Sequence, residues 1–125
     1  MTRFSWLCGS IVAVVACSSS SGSGVTGTKK LTELSPDETQ KLCVFSVDAE
    51  GGPRTVDCGN NTSVTIHDQA RCSTEFGALK DTCQVTVSDA EHCFEAFGDD
   101  PCGLGGDACA AFLDCLLILQ PGAAR

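Results

Sequence analysis

The stretch VTVSDAEHCFEAF at residues 85–97 carries the clearest structural signal in this 125-residue chain. Its apolar side chains recur at the i, i+3, i+4, i+7 spacing that lines one face of a helix; they are Ala90, Cys93, Phe94 and Phe97. Ser88 and Glu91 have the spacing of a capping box, in which each side chain bonds the other residue's backbone at a helix start. The stretch therefore predicts a helix with a buried stripe that contains a cysteine.

An earlier segment repeats this pattern at an offset of 21 residues, because VTIHDQARC at 64–72 matches VTVSDAEHC at 85–93 in its Val-Thr, Asp and Cys positions. A cysteine also precedes each copy. Each copy therefore predicts a short extended piece that leads into a helix with a cysteine in its second turn. In the first copy His67 stands in the place of the capping Ser88, so Asp68 is the alternative cap.

Two helices and a hairpin are predicted around these copies. SPDE at 35–38 supplies a cap, a proline at the first helical position and a capping-box glutamate, so a helix begins there and runs to about Ala49. Gly59-Asn60-Asn61 separates two β-rich runs and tolerates positive φ, which predicts a hairpin. A last helix is predicted over about 108–119, capped by Asp107. The fold class is therefore a small disulfide-rich α+β domain, with three to four short helices and one β-hairpin, stapled by about four disulfides.

Ten cysteines in a chain of this length are typical of a disulfide scaffold. Eight of them fall in the part that should fold: Cys43, Cys58, Cys72, Cys83, Cys93, Cys102, Cys109 and Cys115. None belongs to a C-x-x-C motif, which argues against a zinc ribbon and against a thioredoxin-like redox pair. We therefore predict that these eight residues form four disulfides.

The pairing of the eight cysteines is open, because they can combine in roughly a hundred ways. Cys109 and Cys115 should not bond each other. Their positions on one helix place the Cα atoms about 9 Å apart, and a bridge needs less than about 7 Å. Our expected pairing is Cys72–Cys83, Cys43–Cys58, Cys102–Cys109 and Cys93–Cys115.

The N-terminus has the pattern of an export signal. Arg3 and the free amine precede an apolar run at 4–16, whose 13 residues are too few for a bilayer crossing of about 20. Residues 1–16 are therefore predicted to be a signal peptide. One interpretation is an ordinary signal-peptidase cut after Ala16. The other is lipidation of Cys17, which leaves an even number of cysteines in the folded part.

A Ser/Gly-rich segment follows the signal peptide and sets the predicted domain organisation. Residues 17–34 are expected to be a lipidated cysteine and a flexible Ser/Gly tether. Residues 35–120 are expected to form a single disulfide-rich domain, and residues 121–125 a frayed tail. Two or more acyl chains on Cys17 would hold the protein at a membrane, because each buried methylene contributes about 0.8 kcal/mol.

The composition is acidic, since 16 Asp and Glu residues against 8 Lys and Arg residues give a net charge of −8. Without a basic patch, nucleic-acid binding is not expected. The polar side chains considered for chemistry are two histidines, a helical carboxylate pair and a loop cluster: His67, His92, Glu91, Glu95, Asp99, Asp100 and Asp107. The histidines lack a Ser-His-acid pattern, the glutamates are expected on a solvated face, and the aspartates lack EF-hand spacing. We expect no enzyme activity, no cofactor and no metal site.

VVAC at 14–17 resembles the lipobox of bacterial lipoproteins, which implies that Cys17 is lipidated and that the leader before it is removed. Within that family, Ser18 rather than Asp after the cysteine implies the outer membrane. The remainder is similar to short cysteine-rich lipoproteins of myxobacteria in LSPDETQKLC at 34–43, TVDCG at 55–59 and VTVSDAEHC at 85–93. That resemblance implies an anchored protein and no particular activity.

Two functions are favoured at this point, and an enzyme is ranked last because no catalytic arrangement is visible in the sequence. The first is an envelope-anchored structural or binding module, whose partners are the membrane, through the lipid anchor, and a protein. The alternative is an inhibitor of a cationic secreted hydrolase, a protease or a lysozyme, since the domain is acidic and held rigid by disulfides. Plain secretion is the alternative location.

Overall fold

The computed structural model describes residues 22–116, so the predicted signal peptide, Cys17 and the predicted frayed tail at 121–125 lie outside the described residues. The described elements are a 3₁₀ turn at Leu31–Glu33, α1 at Pro36–Ala49, β1 at Arg54–Gly59, β2 at Thr62–Ile66, α2 at Gln69–Phe76, α3 at Val87–Asp99 and α4 at Asp107–Cys115. Within this range the chain has four α-helices, one two-stranded antiparallel hairpin and four disulfides. The predicted fold class, a small disulfide-rich α+β domain, is confirmed.

The helix starts follow local capping chemistry. At the start of α1 the Glu38 amide donates to Ser35 Oγ at 3.2 Å, and the Ser35 amide donates to Glu38 Oε1 at 3.1 Å. The predicted capping box and the predicted end at Ala49 are both confirmed. At the start of α2 the Asp68 carboxylate accepts from the Arg71 amide at 2.9 Å. Asp68 is therefore the cap of the first repeat copy, as the alternative interpretation had it.

The predicted cap of α3 is wrong. The helix begins at Val87, and Thr86 forms a capping box with Asp89 in place of Ser88 with Glu91. Backbone pairing determines where α3 starts, because Lys30 and Thr86 form an antiparallel bridge and hold the chain extended up to Thr86. The helix then starts immediately after that bridge.

The hairpin has the predicted turn. Asn60 and Asn61 have φ of 52° and 59°, the left-handed pair that a tight two-residue hairpin turn requires. Asp57 pairs with Ser63 and Gly59 pairs with Thr62, so Cys58 is an extra residue in β1. Such a bulge redirects one side chain, and here that side chain is bonded to Cys102.

The disulfide pairing differs from the expected pairing in all four bridges. The structure joins Cys43–Cys72, Cys58–Cys102, Cys83–Cys115 and Cys93–Cys109, with Cα separations between 4.5 and 5.7 Å. The expected pairing favoured cysteines close in sequence, whereas the packing of α1 on α2 and of α3 on α4 brings together cysteines that are not neighbours along the chain. The exclusion of a Cys109–Cys115 bridge is confirmed.

The last described helix ends earlier than predicted. α4 stops at Cys115, and Leu116 is extended, with φ −81° and ψ 121°. The Lys80 amide donates to the Cys115 carbonyl at 3.0 Å, and Leu79 pairs with Leu116 in an antiparallel bridge. This pairing with the segment after α2 replaces a further helical turn; residues 117–119 lie outside the described residues.

The core lies where the four helices meet. Leu42 and Val87 are fully buried, and Phe76, Phe94 and Phe112 form a cluster with ring centroids 5.4–6.4 Å apart. The predicted stripe on α3 is confirmed, with Phe97 half-buried at its end. At Gly98 a side chain would collide with the Ala49 carbonyl oxygen, so this glycine permits α3 to pass close to the end of α1.

The predicted tether is wrong from residue 25 onward. Val25 is 2% exposed and Leu31 is 4% exposed, and both belong to the core. The Leu31 amide donates to the Val85 carbonyl at 3.0 Å, and the Val87 amide donates to the Lys29 carbonyl at 2.8 Å. The Ser/Gly-rich segment contains aliphatic residues that are buried in the core, and its backbone bonds to the segment at 85–87. The folded domain therefore begins before residue 35.

Candidate functional site

The β-hairpin projects from the helical body. One face of the hairpin, with Thr55, Asp57, Ser63 and Thr65, is exposed. On the other face Val56 and Val64 are half-buried, and Ile66 at the base is the one buried residue among the two strands. Arg54, also at the base, donates from Nη1 to the Glu50 carbonyl at 2.6 Å. Since the described sheet contains two strands, each has an outer edge without a neighbouring strand.

A tight loop between α3 and α4 is bonded to this hairpin. The Gly103 amide donates to Asp100 Oδ1 at 3.2 Å, the Leu104 amide donates to the Pro101 carbonyl at 3.1 Å, and the Gly106 amide donates to the Gly103 carbonyl at 3.0 Å. These consecutive turns give the loop a defined shape. The Cys58–Cys102 bridge, with Cα atoms 5.5 Å apart, fixes it against the end of β1. We call the hairpin at 54–66 and the loop at 100–106 together the hairpin–loop surface.

Leu104 stands out on this surface for two reasons. Its φ is 52°, a left-handed conformation that costs a branched, apolar residue about 1–2 kcal/mol. Its side chain is 45% exposed, and Val44 on α1 is the other large hydrophobic residue that is exposed in residues 22–116. The fold therefore holds an apolar side chain in solvent in a costly conformation.

Carboxylates lie on both sides of Leu104 in the surrounding segments. Asp99, Asp100 and Asp107 are exposed in or beside the loop, and exposed Asp57 precedes the bridged Cys58. All 16 acidic residues fall within residues 22–116, whereas two of the 8 basic residues lie outside it. The exposed Leu104 side chain therefore lies among acidic residues along the chain, and Arg54 is the one basic residue of the hairpin–loop surface.

The other predicted chemical groups are dispersed. His67 and His92 are exposed, and His67 Nε2 lies 4.0 Å from Glu75 Oε1. In residues 22–116 no three His, Cys, Asp or Glu side chains are grouped as metal ligands, so Asp99, Asp100 and Asp107 do not converge.

The glutamate pair does not have the predicted solvated face. Glu91 is 5% exposed, and its Oε1 accepts a hydrogen bond from the Ser23 amide at 2.8 Å. The segment expected to be a flexible tether covers this side chain, which explains the difference. Glu95, one turn later, is exposed as predicted.

Sequence reasoning missed Leu104 and the bridge that presents it. A leucine among three glycines is the one local signal, because glycines permit the turns that expose it. The position of the hairpin beside the loop depends on the Cys58–Cys102 pairing, for which the sequence contains no signal. The eight predicted disulfide cysteines are all bridged, and Cys17 lies outside the described residues.

None of the helices in residues 22–116 has the length and apolar character needed to cross a bilayer. Comparison with known proteins adds no relative, since no family model, curated protein or solved structure matches this chain.

Proposed function

We propose that this chain is an exported, envelope-anchored lipoprotein whose disulfide-bonded domain is a binding module for a basic protein partner. The observation that carries the binding role is Leu104, an exposed apolar side chain in a strained, bridged loop. Left-handed backbone at a bulky residue persists only where the surrounding structure imposes it, and such positions cluster at functional sites. The anchor would leave this surface free to meet a partner.

Two observations support export and lipidation. Four disulfides persist in oxidising compartments and are rare in the reducing cytosol. All eight cysteines of the domain are used in these bridges, so a free Cys17 in the mature protein would be an odd, reactive thiol. Acylation of Cys17 within VVAC removes that thiol and supplies the membrane attachment.

The charge distribution supports a basic partner. Interface energy concentrates in a few residues that fill a recess on the partner, and the surrounding contacts exclude water. Leu104 has the form of such an anchor, and the neighbouring aspartates would speed encounter with a positive surface and disfavour an acidic one. We therefore expect a partner with an apolar recess inside a basic rim.

Paired variants test the binding role. Affinity capture from the native envelope would use the wild type, Leu104→Ser and, as the matched control, Val44→Ser, which removes the other exposed large hydrophobic. We expect a basic protein to be captured by the wild type and by the control, to be lost with Leu104→Ser, and to be released by salt. Equal capture by both variants, or capture of an acidic protein alone, would contradict the proposal.

The anchor has a separate test. Intact mass of the protein purified from its native membrane should show acyl mass on a chain that begins at Cys17, and Cys17→Ser should release the protein from the membrane fraction. A mature chain with a free thiol at that position and no acyl mass would disprove lipidation without affecting the binding result.

The second candidate function is inhibition of a cationic secreted hydrolase. The rigid, bridged loop favours it, because a pre-ordered segment that enters a cleft loses little conformational entropy on binding. The measurement is the activity of the captured partner, or of a basic lysozyme or protease, under saturating amounts of this protein. Full activity at saturation rules out inhibition and leaves the binding role standing.

A further inference from the structure

A cavity of about 130 Å³ lies at the centre of the domain, where the four helices and the base of the hairpin converge. One wall is aromatic and contains Phe76, Phe94, Phe97 and Phe112. The rest of the lining includes a polar part, with Glu50, Glu75 and His67, which we call the polar wall. The cavity is therefore amphipathic, and His67, which is 47% exposed, marks its polar side as the side toward solvent.

The space is partly open to solvent and is larger than a packing defect between core side chains. Protein interiors are close-packed, with few voids larger than a water molecule. Cavities of about 150 Å³ lined by aliphatic and aromatic side chains bind a single benzene ring. The aromatic wall alone therefore suits one ring or a short branched alkyl group.

The polar wall contains a carboxylate that forms no ion pair within residues 22–116. Glu50 is half-buried at the end of α1, and its Oε1 accepts a hydrogen bond from Ser46 Oγ at 2.9 Å. Among the ion pairs in residues 22–116, none includes the Glu50 carboxylate. Arg54, the nearest basic residue on the hairpin, donates to the backbone carbonyl of Glu50 and not to its side chain.

The neighbouring charges make the environment of the Glu50 carboxylate more negative. Glu75 Oε1 lies 3.4 Å from Arg71 Nε, which partly balances its charge, and 4.0 Å from His67 Nε2. Burial raises the pKa of Glu50, and the Glu75 charge raises it further against the opposing effects of Ser46 and Arg54. A carboxylate with a raised pKa beside an apolar cavity is a recognised mark of a binding or catalytic position.

We propose that this cavity binds a small hydrophobic ammonium, with its ring or branched alkyl group against the phenylalanine wall and its ammonium on the Glu50 carboxylate. An ammonium donor forms a charge-assisted hydrogen bond with the free carboxylate and is attracted by aromatic faces nearby. An anion would meet two carboxylates, and a neutral apolar molecule would leave the Glu50 carboxylate without an ion-pair partner. This small-molecule site goes beyond the proposed protein-binding role, which uses a different surface.

The test uses benzylammonium as the probe and the full chain with its four bridges formed. Calorimetric titration and ligand-observed NMR should show saturable one-to-one binding, with weaker binding of benzyl alcohol and none of benzoate. Glu50→Gln keeps the oxygen that accepts from Ser46 and should weaken benzylammonium at least about tenfold, the effect of one charge-assisted hydrogen bond. Glu95→Gln, on the exposed face of α3, is the matched control and should bind as the wild type does.

A second variant keeps the test independent of Glu50. Leu113 lines the cavity, so Leu113→Trp should fill it and abolish binding while intact mass and circular dichroism confirm four bridges and a folded chain. No saturable binding to the wild type would overturn the proposal. Equal binding of benzoate and benzylammonium, or unchanged binding to Glu50→Gln or to Leu113→Trp, would overturn it as well.

Discussion

The Cys58–Cys102 bridge should be reduced first when the folded protein meets a mild thiol. Cys102 is exposed and Cys58 is half-buried, whereas the six cysteines of the other three bridges are between 0% and 7% exposed. Reduction begins when a thiolate reaches a disulfide sulfur, so exposure controls the rate when the attacking thiol is the same. One bridge is therefore open to attack in the native state and three are protected.

The size of the difference follows from what the buried bridges require. A thiol can reach the core only when the domain opens, and a small domain of ordinary stability opens at a cost of about 5 kcal/mol or more. Each 1.4 kcal/mol is about a factor of ten, so the buried bridges should react at least about 1,000 times more slowly. A smaller ratio would indicate that the core opens locally near one of them.

Loss of this bridge should weaken the domain without unfolding it. Its two cysteines are 44 residues apart, and closing a loop of that length stabilises a protein by at most about 4 kcal/mol. The other three bridges already restrict the same stretch of chain, which lowers the expected loss. The helical core does not include the hairpin, so the helices should persist while the hairpin and the loop separate.

The assay is a time course with limiting reductant, quenched by alkylation and read by peptide mapping. We expect alkyl groups on Cys58 and Cys102 in the first product and unchanged far-ultraviolet circular dichroism. The double variant Cys58→Ser with Cys102→Ser should then show no early alkylation. Early reduction of Cys43–Cys72 at a comparable rate would refute the reasoning, because that bridge is buried between α1 and α2.

Four further predictions concern single residues. Leu31→Ala should lower the free energy of unfolding by about 2–5 kcal/mol, measured by urea denaturation, because Leu31 is a core residue. An effect near zero would indicate that Leu31 belongs to a flexible tether and not to the core. Glu38 accepts from Lys29 Nζ at 2.7 Å, and this bond, followed by the Ser35 backbone bond, lowers the pKa of Glu38 from 4.5 to about 2. The stability that its charge contributes should therefore be present above pH 4.5 and lost as the pH falls through 2, and urea midpoints of Glu38→Gln should lack that loss. Burial raises the pKa of Glu50, so the wild type should lose stability relative to Glu50→Gln as the pH rises above 4.5; parallel pH profiles of the two proteins would contradict this. Leu104→Gly should raise the melting temperature, by relief of about 1 kcal/mol, because glycine adopts the left-handed conformation at little cost; a lower melting temperature would show that the leucine side chain stabilises the loop.

The elements that local chemistry determines could be predicted from the sequence. Ser35 and Glu38 form a capping box that needs four consecutive residues and no partner elsewhere, so the start of α1 could be predicted from the sequence. Asn60 and Asn61 determine the hairpin turn in the same local way. The buried stripe of α3 follows from the helical period alone.

The features that distant backbone determines could not be predicted. The start of α3 depends on the bridge between Thr86 and Lys30, which lies 56 residues earlier in the chain. The end of α4 depends on Leu79, and the burial of Glu91 depends on Ser23. Sequence patterns report on neighbours along the chain, whereas each of these contacts depends on how whole elements pack.

The candidate surface falls between these cases. A glycine-rich loop around Leu104 is visible in the sequence, but its attachment to the hairpin requires the Cys58–Cys102 pairing. Lipidation of Cys17 stays a prediction, which the intact-mass experiment tests. Two of the four bridges, Cys43–Cys72 and Cys93–Cys109, follow the packing of helix pairs, and short sequence separation was a misleading guide to all four.

The topology of the four bridges has a consequence for how this protein is made. Every native bridge passes over at least one other cysteine, since Cys43–Cys72 passes over Cys58 and Cys93–Cys109 passes over Cys102. On the proposed export route the chain emerges N-terminus first, so Cys43 and Cys58 reach the oxidant before Cys72 does. Rapid oxidation then traps a mispaired species, and recovery needs repeated thiol exchange. Maturation of this protein should therefore depend on an envelope catalyst that reshuffles bridges, and recombinant yield should depend on a glutathione buffer.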